Sequence, residues 1–169
     1  MAAPYEMSTA DPRAAALRAQ YHALFADGAE LPVPIEAIAE DLLGLRVVEE
    51  PLEVSGLLYP GRRLVVLNMD ESSVRRRFTL AHEIGHWVCQ CLEGTDAPVF
   101  CRQQDLAAGT DRALEREANI FAADLLMPAH AVAALHGAGP QDVAERLAVS
   151  GPALGWRLYN LGLVADKPA

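Results

Sequence analysis

Phe78-Thr79-Leu80-Ala81-His82-Glu83-Ile84-Gly85-His86-Trp87 decides the reading of this chain. Two histidines four residues apart on a helix project from one face, one turn above the other, where both imidazoles reach a single cation. Glu83 between them has no geometric claim on that ion. It stands beside the open coordination position, where a carboxylate takes a proton from water that the ion has activated. The arrangement is that of a zinc hydrolase. At about 100° per residue, Leu80, Ala81, Ile84, Val88 and Cys91 form an apolar arc, and Thr79, His82, Glu83, His86 and Gln90 fall opposite. An amphipathic helix with its back in the core is expected. Gly85 costs that helix about 1 kcal/mol relative to alanine, which implies that the backbone there needs room for something close by.

A catalytic zinc site takes three protein ligands, so one more must come from elsewhere. Leu114-Glu115-Arg116-Glu117-Ala118-Asn119-Ile120-Phe121-Ala122-Ala123-Asp124-Leu125-Leu126-Met127-Pro128 offers two nearby carboxylates on a second helix. With Glu115 at 0° and about 100° per residue, Ala118, Asn119, Ala122, Leu125 and Leu126 lie within about 80° of it, whereas Glu117 and Asp124 fall about 160–180° away. Glu115 therefore shares the buried side and is expected to complete the set with His82 and His86. Asn119, one turn on, is placed to accept a hydrogen bond from a ligating histidine and fix its tautomer. Glu117 and Asp124 are expected to be solvated.

Arg75-x-Arg77-Phe-Thr-Leu-Ala-His-Glu-x-Gly-His, followed about thirty residues later by Glu-x-x-Ala-Asn-x-Phe-Ala-x-x-Leu-Leu-Met-Pro, resembles the ImmA/IrrE family of metallopeptidases. The likeness extends to Leu31-Pro32-Val33-Pro34 with the helix after it, to the Ser55-Gly56-Leu57-Leu58 strand and Asn68, and to the Val149-Ser150 turn. It implies an α+β, zincin-like fold and a zinc-dependent endopeptidase, with manganese as the other candidate metal. Its substrates would be Xre-type helix-turn-helix repressors. The resemblance also suggests Ser55–Tyr59 as an edge to which an extended substrate adds as a strand, against the plainer reading of an ordinary sheet strand.

At 169 residues, 51% apolar and 22% charged, the chain fits one metallopeptidase domain over 1–169, with 1–10 flexible. The first ten residues carry no apolar run or basic start, so a cytoplasmic protein with no membrane span is expected. Cys89, Cys91 and Cys101 lack framework spacing and read as reduced thiols. Cys89 falls near His82 on the angular count and could ligate or mask a metal, although small buried thiols are commonly core residues. A net charge of -9 argues against binding nucleic acid directly, because that requires basic side chains. It suits a basic protein partner.

Elsewhere the pattern is mostly helical. A helix runs from Asp11-Pro12 to Phe25, stopped by Asp27-Gly28, and a shorter one from Ile35 to Gly44. Leu45–Glu49, Val54–Tyr59 and Arg63–Asn68 read as a three-stranded sheet against the active-site helix, with Pro60-Gly61 as a type II turn. Ser72 or Ser73 caps that helix, and Arg75, Arg76 and Arg77 either face solvent or anchor a carboxylate. Gly94–Gly109 reads as a surface loop. Beyond Pro128 a helix reaches Gly137, and residues 140–163 form a helix-turn-helix-like pair around Val149-Ser150-Gly151-Pro152. That pair motivates a rival reading, a DNA-binding regulator with a non-catalytic metal site. Only Arg157 would serve a groove there, since Leu154, Trp156, Leu158 and Leu161 look like packing residues. For an oxyanion partner Tyr59, His130, His136 and Tyr159 are candidates, and spacing singles out none.

Overall fold

A run of β-branched residues and leucine without polar alternation suits a strand covered on both faces, and β3 (Leu64–Asn68) is buried at all five positions. The computed structural model describes residues 11–25, 31–90, 99–101 and 112–169. In it β3 lies between β1 (Arg46–Glu50), which is parallel, and β2 (Gly56–Tyr59), which is antiparallel. These are the three expected strands. A fourth, β4 (Val99–Cys101), gives the order β1-β3-β2-β4. Residues 99–101 sit inside the stretch read as a loop, and three residues are too few to show a period. Because Gly56, Leu57 and Leu58 pair with Cys101, Phe100 and Val99, β2 is an interior strand and not the open edge that the resemblance suggested.

The turn after β2 also differs from expectation. Pro60–Arg62 makes a 3-10 turn that Arg63 closes in the left-handed region at φ 49°. A left-handed non-glycine residue costs roughly 1–2 kcal/mol. The Arg63 guanidinium, 5.4 Å from the Trp87 ring centroid, offsets part of that by about 0.5–2 kcal/mol. Asn68 ends β3: its amide donates to the Leu52 carbonyl at 3.0 Å and its Oδ1 accepts from the Asp70 N–H at 3.1 Å, which ties down the chain entering β2.

Seven helices accompany the sheet among the described residues: α1 (Pro12–Phe25), α2 (Ile35–Ala37, continuing as a π turn over Ile38–Leu42), α3 (Ser73–Cys89), α4 (Arg112–Leu126), α5 (Ala129–Leu135), α6 (Pro140–Leu147) and α7 (Gly151–Asn160). The expectations for 1–10, for the Asp27-Gly28 stop, for Cys91, for the Cys101 side chain and for most of Gly94–Gly109 fall outside the described residues. Ser72 caps α3 by accepting from the Arg75 N–H at 3.3 Å. The basic first turn is used for anchoring. Arg76 pairs with Glu49 at 3.2 Å, and Arg77 donates to the Val33 carbonyl at 2.8 Å and to the Ala148 carbonyl at 3.3 Å. No single helix among the described residues is long and apolar enough to cross a membrane.

From Thr79 to Trp87 α3 is buried on every side, so the helix is not half-solvated as its pattern implied. Leu80, Ala81 and Ile84 enter the core with Phe121, Ala122 and Leu125 of α4, and the histidine face is covered by α4 as well. The far end of α4 departs from expectation too. Asp124 is 2% exposed; it accepts from Arg157 Nη2 at 2.6 Å and from the Asp11 N–H at 3.0 Å. Arg157 is 4% exposed and also donates to the Met127 carbonyl at 2.9 Å. The C-terminal pair is two helices joined by a short turn. Ala148 turns in the left-handed region and Ser150 caps α7 by accepting from the Ala153 N–H at 3.2 Å. On α7, Leu154 and Leu158 pack inward as expected, whereas Trp156 stays exposed against Tyr159.

Candidate metal centre

The site begins with an absent side chain. A Cβ on Gly85 would lie 2.9 Å from the Ala118 carbonyl oxygen, 3.0 Å from Ala118 Cα and 3.2 Å from Phe121 Cδ1. Two helices thus meet backbone to backbone, and Gly85 is the residue that permits it. Glu115 lies one turn before Ala118. Its Oε2 comes within 3.0 Å of His82 Nε2 and its Oε1 within 3.0 Å of His86 Nε2. The two Nε2 atoms are 3.0 Å apart.

Each imidazole is held from behind. Asn119 Oδ1 lies 2.9 Å from His82 Nδ1; a carbonyl oxygen accepts only, so it places the proton on Nδ1 and leaves the Nε2 lone pair facing the cluster. Gln90, which the sequence reading placed on the polar face without a role, puts its amide 2.6 Å from His86 Nδ1. Its position four residues after His86 was the available signal. Rotating that amide presents its oxygen instead, which suits a His86 that ligates through Nε2.

Glu83 is fully buried, on the side of the histidine pair that borders β2. A Cβ on Gly56 would lie 3.5 Å from its Oε1. Two pKa values reflect this crowding of charge. Burial raises the Glu115 carboxyl, but hydrogen bonds and charge from His82 and His86 outweigh it and bring the group down to about 2. Burial lowers His86, and the Glu115 hydrogen bond, the Glu83 and Glu115 charges and the Gln90 contact outweigh it, holding the imidazole above 6.5.

These donors fit a metal ion. His82, His86 and Glu115 offer three ligand atoms all within 4.8 Å of one another. Tetrahedral zinc with bonds of about 2.0–2.1 Å sets ligand atoms about 3.3 Å apart, close to the spacing found here. Cys89 is not among the three. It is half-buried and packs against the core. Glu117 points away from the cluster and pairs with Arg13 at 2.8 Å, with 35% of its side chain exposed. None of the four oxyanion candidates hydrogen-bonds the cluster; Tyr59 lies under the Arg62 guanidinium, and Tyr159 meets Trp156 edge-on.

The family model for peptidase M78, described as the IrrE N-terminal-like domain, matches residues 40–159. The chain belongs to this family. The M78 match takes in the whole sheet, α3 and α4, and hence every group of the cluster. Ten chains of solved structure match as well. One is a Mycobacterium tuberculosis transcriptional regulator, 16% identical, with a TM-score of 0.58 over 86% of this chain and 45% of that one. At that identity the likeness is one of fold, and this M78 chain spans less than half the regulator's length. No curated protein matches.

Proposed function

We propose that this M78 chain is a zinc-type metallo-endopeptidase that cuts a peptide bond in another protein. The observation that carries the reading is the convergence of His82, His86 and Glu115 with a fully buried carboxylate, Glu83, on the same helix. A divalent ion held by the three donors supplies a Lewis acid, which polarises a carbonyl and lowers the pKa of water to about 7. The protein's own groups do the rest. Glu83 takes the proton of the attacking water and returns it to the leaving amine. Asn119 and Gln90 keep both imidazole lone pairs aimed inward, and the close α3–α4 contact excludes bulk water from behind the site.

A helix-turn-helix repressor is the proposed substrate. The family resemblance supports it, as does a net charge of -9, which suits a basic partner; the structural likeness to a transcriptional regulator is compatible with a place in transcriptional control. The rival DNA-binding reading loses its one useful cation, because Arg157 is turned inward onto Asp124. Glu83→Gln is the decisive variant. Gln is nearly isosteric and cannot accept the proton, so hydrolysis should fall about 10²–10⁴-fold while zinc stays at one per chain. Undiminished proteolysis would sink the mechanism. Tight, salt-sensitive DNA binding in a gel-shift titration would restore the rival.

A further inference from the structure

The ligands and the carboxylate are held by different parts of the fold. His82 and His86 reach α4, through Glu115 and Asn119, whereas Glu83 reaches β2. Thr79 and Glu83, one turn apart on α3, share a face, and the point they face is the bare backbone of Gly56. A Cβ there would lie 2.6 Å from Thr79 Cγ2, 3.4 Å from the Val66 carbonyl oxygen and 3.5 Å from Glu83 Oε1. Carbon–carbon contacts settle at about 3.5–4.0 Å, so one methyl group at this position demands about 1 Å of movement.

Little there can yield. Thr79 is 2% exposed and Glu83 0%, and a threonine in a helix is confined to two χ1 rotamers. Gly56 itself is held from both sides, paired with Leu67 and Cys101. The residue before it is pinned as well: the Ser55 carbonyl accepts from the Asn68 N–H at 3.0 Å, and its hydroxyl donates to Glu71 Oε1 at 2.8 Å. The clash falls on Thr79 Cγ2, and because Thr79 and Glu83 share one face of α3, relieving it lifts that face, and the carboxylate with it, away from β2; Glu83 Oε1 itself, at 3.5 Å, is in ordinary contact.

We propose that Gly56 is a positioning residue for Glu83, its missing side chain letting α3 settle on β2 at the depth that sets the carboxylate beside the histidine pair. The inference rests on the peptidase reading above. Gly56→Ala should displace the base more than the metal donors, because the His82 and His86 rings are tied to Glu115 and Asn119 of α4.

The test uses the zinc-loaded chain and a randomised, fluorescence-quenched octapeptide library, with kcat and KM measured on one peptide that the wild type cleaves. Gly56→Ala is expected to keep one zinc per chain and a KM within about twofold, and to lose about 100-fold in kcat, the usual effect of a 1 Å misplacement. Thr79→Ser removes the clashing Cγ2 and, combined with Gly56→Ala, should recover most of that kcat. A merely structural role would move the melting temperature and zinc content together with activity. Wild-type kcat in Gly56→Ala, zinc loss in parallel with activity, or no recovery in the double variant would each overturn the inference. If Gly56→Ala does not fold, the double variant carries the test, and an inactive double variant overturns the inference. A wild type that cleaves nothing in the library removes the peptidase reading and this inference with it.

Discussion

Gly85 and Ala118 stand where two backbones touch, with room for no atom between the Gly85 Cα and a carbonyl oxygen 2.9 Å from where its Cβ would be. Unlike a side chain, that oxygen cannot rotate away. Gly85→Ala would gain about 1 kcal/mol of helix propensity and lose about 1–3 kcal/mol to overpacking. The displaced element is α4, which carries Glu115. Zinc affinity is therefore expected to drop at least tenfold with helix content intact, read by competition against a chromophoric chelator. Unchanged affinity would show that the spacing of the helices does not set the site.

Glu115 and Glu117 separate cleanly in a metal titration. Removing Glu115 takes away the group that touches both histidines at 3.0 Å, so Glu115→Ala should bind less than one zinc per chain and lose hydrolysis. Glu117→Ala removes a half-exposed pair with Arg13, worth about 0–1 kcal/mol, and should keep zinc and rate. Loss of zinc in Glu117→Ala alone would assign the third ligand wrongly here.

The metal-free protein should show a pH optimum of stability that belongs to this site. Glu115 is lowered from 4.5 to about 2, so its contribution is present above about pH 4.5 and disappears as pH falls toward 2. His86 is raised above 6.5, so its contribution is present below pH 6.5 and disappears as pH rises through the raised value. Melting temperatures in chelator should carry a component that peaks between about pH 4.5 and 6.5 and that Glu115→Gln abolishes. Identical profiles for the two proteins would contradict the coupling. Zinc, which needs neutral imidazole, should bind more weakly as pH falls through the His86 range.

Asp124 and Arg157 form a buried pair at 2.6 Å. Leaving either one alone strands a charge in the interior, at a cost of about 3–5 kcal/mol. Arg157→Ala and Asp124→Ala should each lower the denaturation midpoint strongly, and by less than additively in combination. A mild effect from Arg157→Ala would mean that the guanidinium reaches water after all.

What the sequence reveals and conceals follows from range. His82, Glu83, His86, Glu115 and Asn119 are found by counting turns on two helices, since local periodicity decides which face each residue takes. The same count misplaces Asp124, because α4 is buried on more than one side and its partner Arg157 lies 33 residues away. Gly85 announces a close approach but not what approaches. The pairing of β4 with β2 leaves no local trace at all: three residues carry no alternation, and the register is set by a strand more than forty positions earlier. Trp156 reads as a core residue by type and stays at the surface, since α7 is short and its inner face is already filled by Leu154 and Leu158.

Glu115 and Asp124 stand nine residues apart on one helix, about 14 Å at 1.5 Å per residue. One end is held by the histidines and the other by α7 through Arg157 and by the head of α1 through the Asp11 N–H. The metal site is therefore suspended between two moorings that lie outside it, and the helix-turn-helix-like pair is no detachable appendage. Excising it for crystallisation or fusion would cut the rear mooring of Glu115, so any minimal version of this domain has to retain α7.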